Sequence, residues 1–352
     1  MIILLYLHFI FISTMNTTRR QLLAVTAGVG GTGLLAGCID DNASADNEPM
    51  GSAEEGVPTV QASFFVFGDI AEQVGGDAAT AELLVPTGQH GHGWEPGPNV
   101  REAIYDADLF VHGMEGFQPW VDTITRDLDA DGADVMTIDA SNGVDLVEAG
   151  GGGEHDSDGG DHSDEHDSDD EHDHGAVDPH FWMDPLRVKD AAATIREGLI
   201  DIDSERAGTY ADNAEQFHAE LDALHEQFES LVAEADKGTI LVAGHDSLRY
   251  FGERYGIRVE SLTGVSPDDT PTPRDIEAAQ SIIDKHDLQY ICADPLESRQ
   301  AADQLVAETD AEAVLDLTAM PGLTEEWSAE GWGYIDVMEN VNLPTLERAL
   351  EA

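Results

Sequence analysis

The stretch TVQASFFVFGDIAEQVGG (residues 59–76) reads first as an apolar strand and then as a helix. The alternation of strand and helix continues. AELLVPTG (81–88) is predicted to be a strand ending in a turn, and NVREAIYDADLFVHG (99–113) a helix followed by a strand. A second series of such units runs from GTILVAGHDSLRYFGERYG (238–256) to AEAVLDLTAM (311–320). Strands that alternate with helices indicate parallel β/α units in open or doubly wound sheets.

A long helix is predicted between the two series, from about Ser204 to Ala235. Its segment FHAELDALHEQFESLV places apolar side chains on one stripe at helical spacing. These side chains are Phe217, Leu221, Leu224, Phe228 and Leu231. The predicted fold class is therefore α/β, with two β/α lobes that contain parallel sheets and are joined by a single long α-helix.

The composition divides the chain into segments. We expect an export signal at 1–38, a flexible tether at 39–56, an N-terminal lobe at 57–185 with an acidic, histidine-rich loop at 150–176, helices including the long linker helix at 186–236, and a C-terminal lobe at 237–352.

The charge balance of the chain is extreme, with a formal net charge of −56. Lysine is nearly absent, since only Lys189, Lys237 and Lys285 occur. So acidic a protein will not bind nucleic acid or an anionic membrane surface by electrostatics. Because salt screens the self-repulsion of such a surface, the composition indicates a salt-loving source and a monomer.

The N-terminal residues contain a predicted export signal. Arg19 and Arg20 precede a weakly apolar, glycine-rich segment, which is typical of a twin-arginine export signal. The segment ends in Leu-Ala-Gly-Cys, which resembles a lipobox and predicts a lipid anchor at Cys38 on the outer side of the membrane. The start codon can be Met1 or Met15. The only other cysteine, Cys292, lies in an apolar run and is predicted to be a buried free thiol.

Four candidate metal ligands lie at the C-terminal ends of predicted strands or in the loops just after them: His92, His180, His245 and Asp316. In open α/β sheets this edge is where ligands bind. Three imidazoles and one carboxylate complete a tetrahedral zinc shell. Imidazole also suits other late divalent metals, whereas manganese prefers more oxygen ligands.

The loop before His180 contains His155, His162, His166, His172 and His174 among acidic residues and glycines. Such a composition cannot form a core, so the loop is expected to be mobile. Its imidazoles and carboxylates suit weak zinc binding in many arrangements, which would gather zinc near His180 or sense its excess. The alternative is a purely solvated acidic loop.

Three motifs resemble those of a known family, the substrate-binding lipoproteins of ABC-type zinc and manganese importers (cluster A-I). They are PTGQHGHGWEP (86–96), DPHFWMDP (178–185) and AGHDSLRYFGERYGI (243–257). The resemblance implies two β/α lobes joined by one long helix with the metal site between them. It also implies that His92, His180 and His245 are ligands and Asp316 is the fourth. One departure is Gly91, where the family has proline, and His90 offers a second imidazole, so either His90 or His92 could coordinate; we favour His92.

The resemblance implies a binding protein that captures zinc outside the membrane and hands it to the permease of an ABC importer. Delivery of manganese or iron is the alternative within the class, but relatives tuned to manganese tend to place a glutamate where this chain has His245. A zinc-dependent hydrolase would need an open coordination position and a nearby base, for which Glu95 is the only obvious candidate. A surface adhesion lipoprotein would leave the placement of the four candidate ligands unexplained.

Overall fold

The computed structural model describes residues 56–149 and 177–352. The expected export signal, the tether up to residue 55 and the histidine-rich loop lie outside these ranges. The strands are β1 (Thr59–Ala62), β2 (Thr80–Leu83), β3 (Leu109–His112), β4 (Met136–Asp139), β5 (Thr239–Val242), β6 (Arg258–Ser261), β7 (Tyr290–Ala293) and β8 (Ala313–Asp316).

The α-helices of the described residues are α1 (Phe65–Gly75), α2 (Pro98–Tyr105), α3 (Pro119–Asp131), α4 (Pro185–Ile202), α5 (Ala207–Glu234), α6 (Arg249–Tyr255), α7 (Pro273–His286), α8 (Gln300–Glu308), α9 (Glu325–Glu330), α10 (Tyr334–Val337) and α11 (Leu343–Leu350). Short 3₁₀ turns cover Gly76–Ala78, Phe181–Met183 and Ser204–Arg206, and a π-helical turn covers Met338–Asn342. No helix within 56–149 or 177–352 is long and apolar enough to cross a membrane.

The strands form two four-stranded sheets with the orders β2-β1-β3-β4 and β6-β5-β7-β8. All pairings between these strands are parallel. Helices connect successive strands, as parallel pairing requires, and the central strands β1, β3 and β5 are buried almost throughout. The predicted α/β fold with two parallel-sheet lobes is confirmed.

Helix α5 joins the two lobes, and the prediction of a long helix from about Ser204 is confirmed. All five side chains of the predicted apolar stripe are buried. Near its start, the Tyr210 hydroxyl donates to the carbonyl of Ala78 in the first lobe at 3.0 Å. Near its end, the Phe228 ring packs against Phe251 of the second lobe at 5.1 Å between centroids. One continuous helix therefore contributes to the core of both lobes.

Residues 178–184 form a second connection, here called the clamp segment. The Tyr250 hydroxyl donates to the carbonyl of Asp178 at 2.7 Å, and the Trp182 indole donates to the carbonyl of Ala319 at 2.8 Å. At the far end, the guanidinium of Arg254 lies 2.6 Å from the carboxylate of Asp184, which also caps α4. Tyr250, Ala319 and Arg254 all belong to the second lobe. Because Trp182 also packs on Phe64 of the first lobe, at 5.0 Å between centroids, the clamp segment is fixed to both lobes.

A buried carboxylate makes another contact between the lobes. Asp69 of α1 accepts a hydrogen bond from the backbone N–H of Tyr334 at 3.0 Å. Gly333 permits this approach, because a Cβ at that position would lie 2.3 Å from the Asp69 carboxylate. Burial raises the pKa of Asp69 to about 7, so ionising it in the folded protein is costly.

We predict that Asp69→Asn stabilises the metal-free protein at pH 8 and has little effect near pH 4. The raised pKa disfavours the ionised form of the folded protein, so the cost grows as the pH rises from the unfolded value of 3.8 to about 7 and stays constant above it. At about 1.4 kcal/mol per pKa unit the gain is at most roughly 4 kcal/mol.

The measurement is denaturant unfolding of both proteins across this pH range. Asp77→Asn, at an exposed position, controls for the loss of one negative charge. An equal gain in the control, or a gain that does not depend on pH, would contradict the role of Asp69.

Candidate metal centre

Three of the predicted ligands meet between the lobes. One ring nitrogen from each of His92, His180 and His245 lies within 4.8 Å of the other two. The Nε2 atoms of His180 and His245 are 3.2 Å apart. Tetrahedral zinc with bonds of about 2.0–2.1 Å places its nitrogen ligands roughly 3.3 Å apart, so this spacing fits a shared metal ion.

His180 is the most deeply buried of the three and is held by Asp178. The carboxylate Oδ1 of Asp178 accepts from the backbone N–H of His180 at 2.9 Å and from its Nδ1 at 2.8 Å. With Nδ1 engaged, Nε2 is left to face His245. The second carboxylate oxygen of Asp178 is buried without a hydrogen-bond partner among the described residues. The clamp segment thus presents a fixed imidazole with excess negative charge behind it.

His245 has the same arrangement on the second lobe. It lies in the loop after β5, and its Nδ1 is 2.9 Å from Oε1 of Glu297. Glu297 lies in the loop after β7, the strand next to β5. Adjacent parallel strands therefore bring this carboxylate to the histidine. Carboxylates that hold the far nitrogen of a ligand imidazole orient the ring and raise its basicity toward metal.

His92 comes from the loop between β2 and α2. Its ring stacks on that of His180, with centroids 5.2 Å apart and planes inclined by 28°. Phe64 and Phe117 contact it edge-on at 5.5 and 4.6 Å between centroids. The loop itself is fixed by the amide of Gln118, which donates to the carbonyl of Gly91 at 3.0 Å. An apolar wall of aromatic rings therefore surrounds this imidazole.

The surroundings favour the neutral imidazoles of His92 and His180. Burial lowers the pKa of His92 well below 6.5, and the neighbouring histidines add to the effect. Burial also lowers the pKa of His180, although Asp178 opposes this. Burial disfavours ionisation of Glu297, but His245 and His90 outweigh it and lower its pKa to about 2. Neutral imidazoles backed by carboxylates suit a divalent cation, since only a deprotonated ring nitrogen binds metal.

The fourth predicted ligand, Asp316, does not lie with the three histidines. It is the last residue of the edge strand β8, and its exposed carboxylate accepts from Arg299 at 2.7 Å. The sequence places it correctly at a strand end, but the side chain points to the start of α8.

The prediction that Cys292 is a buried free thiol is confirmed.

Two carboxylates of the centre, Asp178 and Glu297, were not predicted from the sequence. Asp178 carried a local signal, because it stands two residues before His180, within reach of that residue's backbone and ring. Glu297 had only an indirect signal, its position in the loop after a strand that pairs with β5. The sequence does not state this pairing, since β7 follows β5 only after a further strand.

Comparisons with known proteins find zinc-uptake and zinc-binding proteins. The family model described as zinc-uptake complex component A, periplasmic (ZnuA), matches residues 60–349. The high-affinity zinc uptake system protein ZnuA of Bacillus subtilis is 29% identical over 317 residues, which are 90% of this chain and 94% of that protein. The zinc-binding lipoprotein AdcA of Streptococcus pneumoniae is 29% identical over 297 residues, which are 84% of this chain and 56% of that longer protein.

Solved structures show the same fold. The Zn(II)-bound ZnuA-like domain of Streptococcus pneumoniae AdcA superposes with a TM-score of 0.67 at 26% identity, covering 84% of this chain and all of that domain. The metal-dependent lipoprotein YcdH of Bacillus subtilis gives a TM-score of 0.66 at 26% identity, covering 84% and 99% of the two chains. By the match over residues 60–349, the chain belongs to the ZnuA family of zinc-uptake complex components.

Proposed function

We propose that this protein binds one zinc ion outside the cytoplasm, between its two lobes, and delivers it to an ABC-type importer. The observation that carries the proposal is the convergence of three imidazole nitrogens within 4.8 Å. The carboxylates of Asp178 and Glu297 support it, because they leave Nε2 of His180 and of His245 free to bind metal. Relatives named for zinc uptake and zinc binding support the same cargo.

The nature of the donors favours zinc over manganese. The three clustered ligand candidates are all nitrogens, and manganese prefers oxygen. The family supplies the binding component of an uptake system, so the role is capture and release and not catalysis. We assign the tight site to His92, His180 and His245, and do not assign Asp316 as a ligand because its carboxylate is paired with Arg299.

The N-terminal segment supports the location. Arg19 and Arg20 fit a twin-arginine signal, and the lipobox-like sequence before Cys38 fits a lipid anchor that would hold a monomer at the membrane. A net charge of −56 suits a surface exposed to high salt. The relative AdcA is named a zinc-binding lipoprotein, which is consistent with such an anchor.

The histidine-rich loop is proposed to gather zinc close to the tight site. Glu148 and Val177, which flank it, form an antiparallel bridge, and the N–H of Asp178 donates to the carbonyl of Val147 at 3.0 Å. The loop therefore leaves and returns at one point, three residues before His180. Its five histidines lie outside the described residues, and their imidazoles suit weak zinc binding.

We predict that His180→Ala and His245→Ala each weaken zinc binding more than about 100-fold, because each removes a ligand from a shell of four at most. Competition against a chelator of known affinity measures the change. Asp316→Asn is the matched control and is expected to bind as the unmodified protein does. Near-unmodified affinity in either histidine variant, or a large loss in the control, would contradict the site.

We predict that Asp178→Asn and Glu297→Gln each weaken zinc binding by about 10–100-fold without removing a ligand. Both replacements keep an acceptor for Nδ1 and remove only the charge behind the ring. The same competition assay applies, with the melting temperature of the metal-free protein as a check on folding. Unchanged affinity would show that these carboxylates do not tune the imidazoles.

We predict that deleting 151–175 leaves the fold and the tight site intact. The deletion leaves Ala149, Gly150 and Ala176 to close the bridge between Glu148 and Val177, a length found in hairpins. Calorimetric titration should lose its weak zinc sites and keep the tight one.

The matched control for the deletion keeps the loop's length and replaces its five histidines with asparagine. It should lose the same weak sites. If both variants bind as many zinc ions as the unmodified protein, the loop does not gather zinc.

A further inference from the structure

A fourth imidazole, that of His90, lies beside the three-histidine cluster. Its ring centroid is 5.2 Å from that of His92 and 6.2 Å from that of His245. Its Nε2 is buried and makes no hydrogen bond within the described residues. The charged atom near it is Oε1 of Glu297 at 3.4 Å, which is not aligned for a hydrogen bond. A buried nitrogen of this kind costs free energy unless a partner arrives.

The His90 ring is about as far from two rings of the cluster as the cluster rings are from one another. Rings bound to tetrahedral zinc have centroids about 5 Å apart. Within the cluster the three spacings are 5.1, 5.2 and 6.0 Å. The two distances from His90 fall in almost the same range. His90 lies outside the group whose ring nitrogens are all within 4.8 Å of one another, so its ring must move toward His180 to reach a shared ion.

Three carboxylates that could have supplied a fourth ligand, those of Glu297, Asp178 and Asp316, are engaged elsewhere. Oε1 of Glu297 contacts Nδ1 of His245, so it lies on the side of that ring away from Nε2. Asp178 holds His180 in the same way, and Asp316 is paired with Arg299. None of the three faces the point on which Nε2 of His180 and Nε2 of His245 converge.

The backbone around Gly91 brings both histidines of this loop to the centre. The N–H of Gly91 donates to the carbonyl of Pro321 at 2.8 Å. A Cβ at Gly91 would lie 2.7 Å from the Phe64 ring and 2.8 Å from that carbonyl, so a larger residue would push the loop away. Close docking against the second lobe places His90 on the side of Glu297 and His92 on the side of Phe64.

We propose that His90 is the fourth protein ligand of the zinc ion, completing a shell with His92, His180 and His245. This rests on the proposed function. When zinc binds, the His90 ring exchanges its contact with Glu297 for the metal, and Glu297 keeps its bond to His245. The weak hydrogen bond that Nδ1 of His90 accepts from the His92 N–H, at 3.4 Å, is lost at little cost.

The test is zinc-edge X-ray absorption of the full chain loaded with less than one equivalent of zinc, so that the tightest site fills first. The expected result is four imidazole nitrogens around zinc in the unmodified protein, and three imidazoles with one oxygen in His90→Ala. Zinc affinity should fall about 10–100-fold in this variant, less than in His180→Ala. His286→Ala is the control, because its ring contacts Thr239 at the opposite end of β5 from His245.

Two results separate this proposal from the proposed function. Three imidazoles in the unmodified protein, with the same spectrum in His90→Ala, would overturn the role of His90 and leave zinc binding by the other three intact. Failure of the unmodified protein to hold zinc tightly would overturn the proposed function itself. The spectrum of the unmodified protein decides the first question even if His90→Ala is unstable.

Discussion

The buried pair of Asp178 and His180 is the contact on which the centre depends. The carboxylate fixes both the backbone and the ring of His180, and neither side chain is exposed to solvent. A buried carboxylate with one unpartnered oxygen is unfavourable by itself. The arrangement is stable only because the surrounding structure holds it, and a divalent cation shared by the neighbouring imidazoles would offset its charge.

The clamp segment explains how a site between two lobes can be preorganised. Hydrogen bonds from Tyr250 and Trp182 tie it to the second lobe, and α4 follows directly in the chain. His180 therefore has a fixed position relative to His245, although 65 residues separate them. Helix α5 adds a continuous spine through both cores. Ligands held by rigid elements lose little entropy when metal binds, which favours high affinity.

Much of the fold follows from sequence patterns. Alternating strands and helices predicted parallel sheets, and the apolar stripe from Phe217 to Leu231 predicted the joining helix. Histidines near strand ends predicted that three imidazoles would meet, because parallel strands direct their following loops to one edge. What failed was side-chain direction: Asp316 stands at a strand end but turns to Arg299. What was missed, Glu297, depended on which strands pair, and that is a property of the assembled sheet.

The central claim is that a single tight zinc site lies between the lobes at these histidines. Its most direct test is an anomalous difference map, recorded at the zinc edge, from crystals of the full chain loaded with less than one equivalent of zinc. The account predicts one strong peak in contact with His92, His180 and His245. A map without a peak there, or with its strongest peak at other residues, would contradict it.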